Sequence, residues 1–315
     1  MPMLAIAVLS TGIYFAGLVY FKLAAERMHP LAGNHPWQLA AQLLQDRVWL
    51  VGASFLLVGA CVQAAALTGL SVVSAQPMFL AGLGMLLILG LGVLGERLTL
   101  REWGCVLILA AAAAMFGEAS DGAHDQTAVA GAPPWLVVSV ALPSLLVPVA
   151  ALLASDLSRK GLHSRPLTGV ALAINVGLLT GTAELMLTGA ADLVRSPREL
   201  ITTPYLYVFV VVAPFALAQL QIALQRNRMV ITGFVATATA KTYLFVLAGP
   251  LYHEWWPEDR GRQVAVALTL SVLAIAAVPH HERKDERQRQ RHHDAGVHGH
   301  RHAEGHLRAE GHRHA

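Results

Sequence analysis

SVVSAQPMFLAGLGMLLILGLGVL at residues 71–94, followed by GERLTLREWG at residues 95–104, is the stretch whose reading decides the fold. The first string is almost wholly apolar. Its length of about 24 residues, at 1.5 Å per residue, exceeds the roughly 30 Å of hydrocarbon in a bilayer, so one helix can cross there. Gly95-Glu96-Arg97-Leu98 then turns the chain. In Thr99-Leu100-Arg101-Glu102 the Thr-x-x-Glu spacing lets a hydroxyl and a carboxylate each satisfy a free backbone N–H at a helix start. The next span, Trp103 to Gly117, therefore begins at a defined residue.

Outward from this pair, similar apolar runs occupy residues 3–21, 48–70, 134–155, 167–190, 203–224, 229–252 and 263–278, which makes nine predicted spans. Hydrophobic residues are 55% of the chain and charged residues 14%, against roughly a quarter charged in a soluble domain. The expectation is an all-α, polytopic membrane helix bundle over residues 1–278, not a pair of soluble domains. No basic residue precedes the first span, whereas Lys22 and Arg27 follow it, the reverse of a cleavable signal peptide, so that span is expected to stay. Residues 36–44 have helical spacing but are too short and polar to cross, and read as a helix in the interface with Trp37 at headgroup depth. Alternate loops, with the C-terminal tail, hold 18 Lys and Arg against four on the other side. Cytoplasmic loops are the basic ones, so a multi-pass protein of the cytoplasmic membrane is predicted, N-terminus outside and C-terminal tail cytoplasmic. Cys61 and Cys105 both fall inside spans and read as small apolar residues.

An internal repeat follows from a constant offset of 158 residues, which sets Gln63 on Gln221, Val72 on Val230, Glu96 on Glu254 and Val106 on Val264. Spans two to four then match spans seven to nine. The shift of five is odd, so matching helices cross in opposite directions, as in the inverted repeats of many secondary transporters. Repeat one covers about residues 1–117 and repeat two about 134–278. The second half has Val235 where the first has Pro77, and His253-Glu254-Trp255-Trp256-Pro257 where the first has Gly-Glu-Arg-Leu.

Ala66-Leu67, Ser71-Val72-Val73, Pro77, Gly95-Glu96-Arg97-Leu98-Thr99, Glu102-Trp103-Gly104 and Leu107-Ile108 resemble the first-half signature of the drug/metabolite transporter superfamily. The likeness covers roughly residues 47–117 and is nearest to the EamA-like and NIPA-like branches. It implies a transporter fold, usually ten helices in two halves, with nine in the NIPA-like branch. The proton-coupling glutamate of the small multidrug-resistance relatives has no counterpart in the first span.

Ionisable groups deep in a bilayer face the protein interior or a water-filled path. Lys241 lies near the middle of the eighth span, and Glu184 lies in the sixth, after Asn175 and a Gly177-x-x-x-Gly181 pair that admits a close helix neighbour. The functional reading puts Lys241 and Glu184 in a central cavity, binding a charged or zwitterionic solute or exchanging a proton with it. The structural alternative is that they pair and fix helix packing. Thr237, Thr239 and Thr242 flank Lys241, as packing hydroxyls or as solute contacts. Gln63, Gln76, Gln219 and Gln221 are amides within spans, and the repeat marks Gln63 and Gln221 as pocket candidates or as bridges between helices. Glu96 and Glu102 read as membrane-edge residues, Glu102 as a helix cap.

From Pro279 the chain is a different material. Ten of its fifteen histidines lie there, among them His298, His300, His302, His306, His312 and His314, with Glu, Arg and Gly between. Residues 279–315 are expected to be a disordered cytoplasmic tail that can gather a transition metal such as zinc, nickel, cobalt or copper, or lie against anionic lipid through its basic part. No nucleophile has a base beside it and no Gly-rich loop cradles phosphate, so no enzymatic activity and no required cofactor are expected. The partners implied are the lipid bilayer and a small-molecule or ion substrate, with no nucleic acid; a homodimer and a monomer are both open. The first expectation is a secondary transporter for a small polar or charged metabolite. The alternatives are a carrier of a divalent cation, magnesium or a transition metal, and a non-transporting membrane adaptor or metal sensor acting through its tail.

Overall fold

The computed structural model describes residues 2–28, 36–67, 76–120, 132–157, 169–252 and 260–278. Among these residues every regular element is helical: α1 Pro2–Arg27, α2 Pro36–Gln45, α3 Arg47–Leu67, α4 Gln76–Leu87 with a π-helical continuation Ile88–Val93, α5 Leu100–Ser120 and α6 Pro134–Leu157. Then come α7 Gly169–Asp192, a 3₁₀ turn Leu193–Arg195, α8 Pro197–Thr202, α9 Tyr205–Arg226, α10 Met229–Tyr252 and α11 Gly261–Ala277. The chain divides into a unit Met1–Ile275 and a terminal unit Ala276–Ala315. Two helices of the described residues are long and apolar enough to cross a membrane, Val170–Ala191 within α7 and Tyr205–Arg226, which is α9. Of the first, 67% is buried and of the second 39%, so α7 is a central column and α9 a flank.

The local signals act as their chemistry requires. The Thr99 N–H donates to Glu102 Oε2 at 2.7 Å and the Glu102 N–H to Thr99 Oγ1 at 3.4 Å, the reciprocal box that starts α5 at Leu100. Gly95, at φ 66°, makes the left-handed turn just before it. Thr99→Ala is expected to lower stability by about 1 kcal/mol, read as an earlier thermal midpoint of the detergent-solubilised protein.

Helix directions follow from the contacts. A Cβ on Gly17 would lie 2.8 Å from the Gly52 carbonyl oxygen, and one on Gly59 would lie 2.8 Å from the Tyr14 nitrogen, so α1 and α3 are antiparallel with backbones nearly touching. A Cβ on Gly177 would be 2.6 Å from the Ala236 oxygen, and one on Gly181 would be 2.9 Å from the Ala240 oxygen, so α7 and α10 are parallel. Gln221 Nε2 donates to the Phe21 carbonyl at 3.3 Å and Gln225 Nε2 to Ala25 at 3.4 Å, which makes α1 and α9 parallel. Gly189 packs on the Tyr205 ring, and Leu179 and Ala183 share a cluster with Val212 and Ala216, which makes α7 and α9 antiparallel. It follows that α1 and α7 run in opposite senses.

The packing pattern is reciprocal under that reversal. α1 packs on α3 and α4, and α7 packs on α9 and α10. Across the middle, α1 meets α9, α3 meets α7, and α4 meets α10. The short helices α2 and α8 stand in matching places, each ahead of the second long helix of its set, and α3 and α9 start 158 residues apart, at Arg47 and Tyr205. Large apolar side chains remain on the outside of several helices, among them Val51 and Val58 on α3, Leu107 on α5, Leu146 on α6, Val210 and Val211 on α9, and Leu273 on α11.

A candidate solute cavity between the helix sets

α3, α7 and α10 all begin at one end of the bundle, so depth along each is comparable. Gln63, Glu184 and Lys241 lie about 24, 22 and 18 Å along their respective helices at 1.5 Å per residue. The three side chains meet. Gln63 Nε2 donates to Glu184 Oε1 at 2.6 Å, and the Lys241 ammonium forms an ion pair with the same oxygen. One carboxylate thus receives a charged donor from α10 and a neutral donor from α3. The Lys241 and Glu184 side chains each keep 23% of their exposure, because both line a cavity.

That cavity has room for the centres of water-sized molecules over about 180 Å³. Its wall comes from α1, α3, α4, α7, α9 and α10, and is mostly apolar: Phe15, Leu18, Leu56, Leu57, Leu187, Phe209, Leu217 and Leu220. The polar groups in the wall are Thr11 and Tyr14 on α1, Gln63 on α3, Thr180, Glu184 and Thr188 on α7, and Thr237 and Lys241 on α10. Thr180 and Thr188 turn their hydroxyls back to the Val176 and Glu184 carbonyls, at 2.8 and 2.9 Å, so both hydroxyl protons are already engaged. The ammonium keeps donors beyond its bond to Glu184, and Thr237 lies one helical turn before it. The wall can therefore take a solute that has an apolar body and at least one ionic or hydrogen-bonding head.

Of the six residues marked by the sequence, Lys241, Glu184, Gln63 and Thr237 share this cavity. Asn175 and Gln221 are not in its wall. Asn175 is buried on α7, and its Nδ2 has no hydrogen-bond partner among the described residues. Gln221, fully buried, joins α9 to the end of α1 through Phe21. Thr239 packs where Gly177 leaves space for it. Gln219 is buried elsewhere on α9, and the Gln76 side chain lies outside the described residues. So do His298, His300, His302, His306, His312 and His314, with the whole of 279–315, and the Glu254 end of the repeat. Thr11 and Tyr14 were not singled out by the sequence. Their signal is a polar pair at near-helical spacing in the first span, weak beside a charge because Thr and Tyr are common in apolar helices. Among the described residues no cluster of three His, Cys, Asp or Glu is placed to hold a metal ion. No family model matches the chain, and no curated protein or solved structure matches it.

Proposed function

We propose that the protein is a secondary transporter that moves a small polar or charged metabolite across the cytoplasmic membrane by alternating access. The observation that carries this reading is the Lys241–Glu184–Gln63 cluster in the wall of an otherwise apolar cavity, between two helix sets of opposite direction. Inverted repeats that enclose one mid-depth site are the architecture on which carriers rock, opening the site to each side in turn. In this reading the nine long helices all cross the membrane, with repeats of about 1–117 and 134–278. The apolar side chains left outside on α3, α5, α6, α9 and α11 then meet acyl chains. The likeness of residues 47–117 to the drug/metabolite transporter superfamily supports the same conclusion.

Orientation has its own support. Lys22, Arg27, Arg47, Arg97, Arg101, Arg226 and Arg228 gather at the end of the bundle where α3, α7 and α10 begin. Arg195 and Arg198 follow the far end of α7, and Arg260 precedes α11. A basic end faces the cytoplasm, giving an outside N-terminus and a cytoplasmic tail. A metal ion is disfavoured as cargo, because the Lys241 ammonium already occupies the carboxylate that a divalent cation would need.

A thermal-shift screen of metabolites and metal ions on the full-length protein selects the solute, since a ligand of the native state raises apparent stability. Uptake of that solute into proteoliposomes is expected to vanish in Lys241→Ala and to persist when residues 280–315 are deleted. Two results would overturn the proposal: saturable uptake of a divalent ion, or uptake unchanged when Lys241 and Glu184 are both replaced by Leu. The second would place the solute's path away from the charged pair, whereas absence of any uptake with normal function of the double variant would favour an adaptor acting through its tail.

A further inference from the structure

The two-residue turn between α9 and α10, Asn227-Arg228, is held from both sides by residues of the first helix set. From α1, Lys22 Nζ donates to the Leu224 carbonyl at 3.1 Å and to the Asn227 carbonyl at 3.0 Å, placing a cation on the open carbonyls that end α9. From the turn between α4 and α5, Glu96 accepts the Met229 N–H at 2.5 Å on Oε1 and the Val230 N–H at 2.8 Å on Oε2. That sets an anion on the open amides that start α10. Arg228 itself donates to the Arg97 carbonyl and forms an ion pair with Glu102, which is 5% exposed. Gly90, in the π-helical turn, gives Val230 the room to sit there.

Four charged side chains and two helix ends therefore meet in one place, each satisfying groups the other set leaves open. We infer that this cluster is an ionic latch, the closed gate on the basic side of the carrier, and that Glu96, Glu102, Arg228 and Lys22 position the gate rather than contact the solute. The inference rests on the transporter reading, since a gate has meaning only where a path exists. The cavity begins just above the latch: Gly233 is one turn into α10, Leu220 one turn before Leu224, and Leu18 one turn before Lys22. If the repeats rock to open this side, α10 must draw its N-terminus away from Glu96. Every bond of the latch joins first-half to second-half residues, so all are broken together and none resists the motion once one half has moved.

The test needs no identified solute. In a full-length Cys61→Ser/Cys105→Ala background, Ala236→Cys places a thiol in the cavity wall two turns above the latch. Its reaction with a membrane-impermeant methanethiosulfonate is timed in inside-out and right-side-out vesicles. With the latch intact, labelling from the cytoplasmic face is expected to be slow. Glu96→Gln with Glu102→Gln is expected to speed it roughly tenfold, the shift that follows from losing charge-assisted bonds from one of two states. Gln at 102 still completes the helix-start box with Thr99, so α5 is kept while the charge is lost. Thr99→Ala, which weakens the start of α5 without removing a latch charge, is expected to leave labelling slow, which separates loss of the latch from a merely loosened fold. Fast cytoplasmic labelling of the intact protein, no change in the Gln variants, or equally fast labelling of Thr99→Ala would each overturn the latch. The two failures are distinguishable: an empty uptake screen with latch-dependent labelling leaves a cavity whose access the cluster controls but sinks the carrier, and uptake with latch-independent labelling sinks only the gate.

Discussion

Glu184→Leu alone is expected to cost the protein about 3 kcal/mol of stability, and Glu184→Leu together with Lys241→Leu much less. The single change strands an ammonium in a mostly apolar wall, and it also leaves the Gln63 amide without its acceptor. The double change removes both charges and leaves groups that suit an apolar wall, which is the usual outcome when a paired charge is replaced as a unit. Solute uptake is expected to be lost in both. Unfolding of the detergent-solubilised protein and uptake into proteoliposomes, measured on the same preparations, separate holding the fold from handling the solute. Equal stability losses in the single and the double variants would mean that Lys241 is solvated through the cavity and does not depend on Glu184.

Gly177→Val is expected to be the most damaging single change outside the cavity, costing about 3 kcal/mol or leaving no folded protein at all. A Cβ there would lie 2.5 Å from the Thr239 Cβ and 2.6 Å from the Ala236 oxygen, and the second of these is backbone that no rotamer change can move. α7 and α10 would have to separate along the seam that sets Glu184 beside Lys241. Gly84→Ala is the matched control, since its added carbon would meet nothing within 4 Å. The pair of thermal midpoints is the measurement, and similar values would show the α7–α10 seam to be looser than its geometry.

The helices were legible because apolar runs bounded by charge and turn residues leave little choice. Span 229–252 is matched by α10 at Met229–Tyr252, and 203–224 by α9 at Tyr205–Arg226. α1 continues to Arg27, six residues beyond the apolar run, because the stems of Lys22 and Arg27 let a helix extend past its greasy part. α8 was not foreseen: six residues of mixed polarity carry no period. Nor was the π-helical turn at 88–93, since a π turn and an α turn are built from the same apolar residues and differ only in which carbonyl is reached. For the cavity, charge inside an apolar run singled out Glu184 and Lys241, and a repeat offset added Gln63. The same offset also pointed to Gln221, which binds backbone at the end of α1 because equivalent positions in two repeats need not face the same space. The latch was out of reach, because its partners are more than 100 residues apart in the chain. Glu102 illustrates this: the sequence displays its capping role, and only the fold brings Arg228 to its other oxygen.

The parallel seam of α7 and α10 has one more consequence. Glu184 and Lys241 ride on helices that touch backbone to backbone and belong to the same half, whereas Gln63 belongs to the other. A rocking motion would part the amide from the carboxylate but keep the two opposite charges together. Under the proposed alternating access the electrical neutrality of the site would be conserved, and no bare ion would be carried through oil. Within the site itself, the bond exchanged between the two states would be a single uncharged one, small enough for a solute to replace.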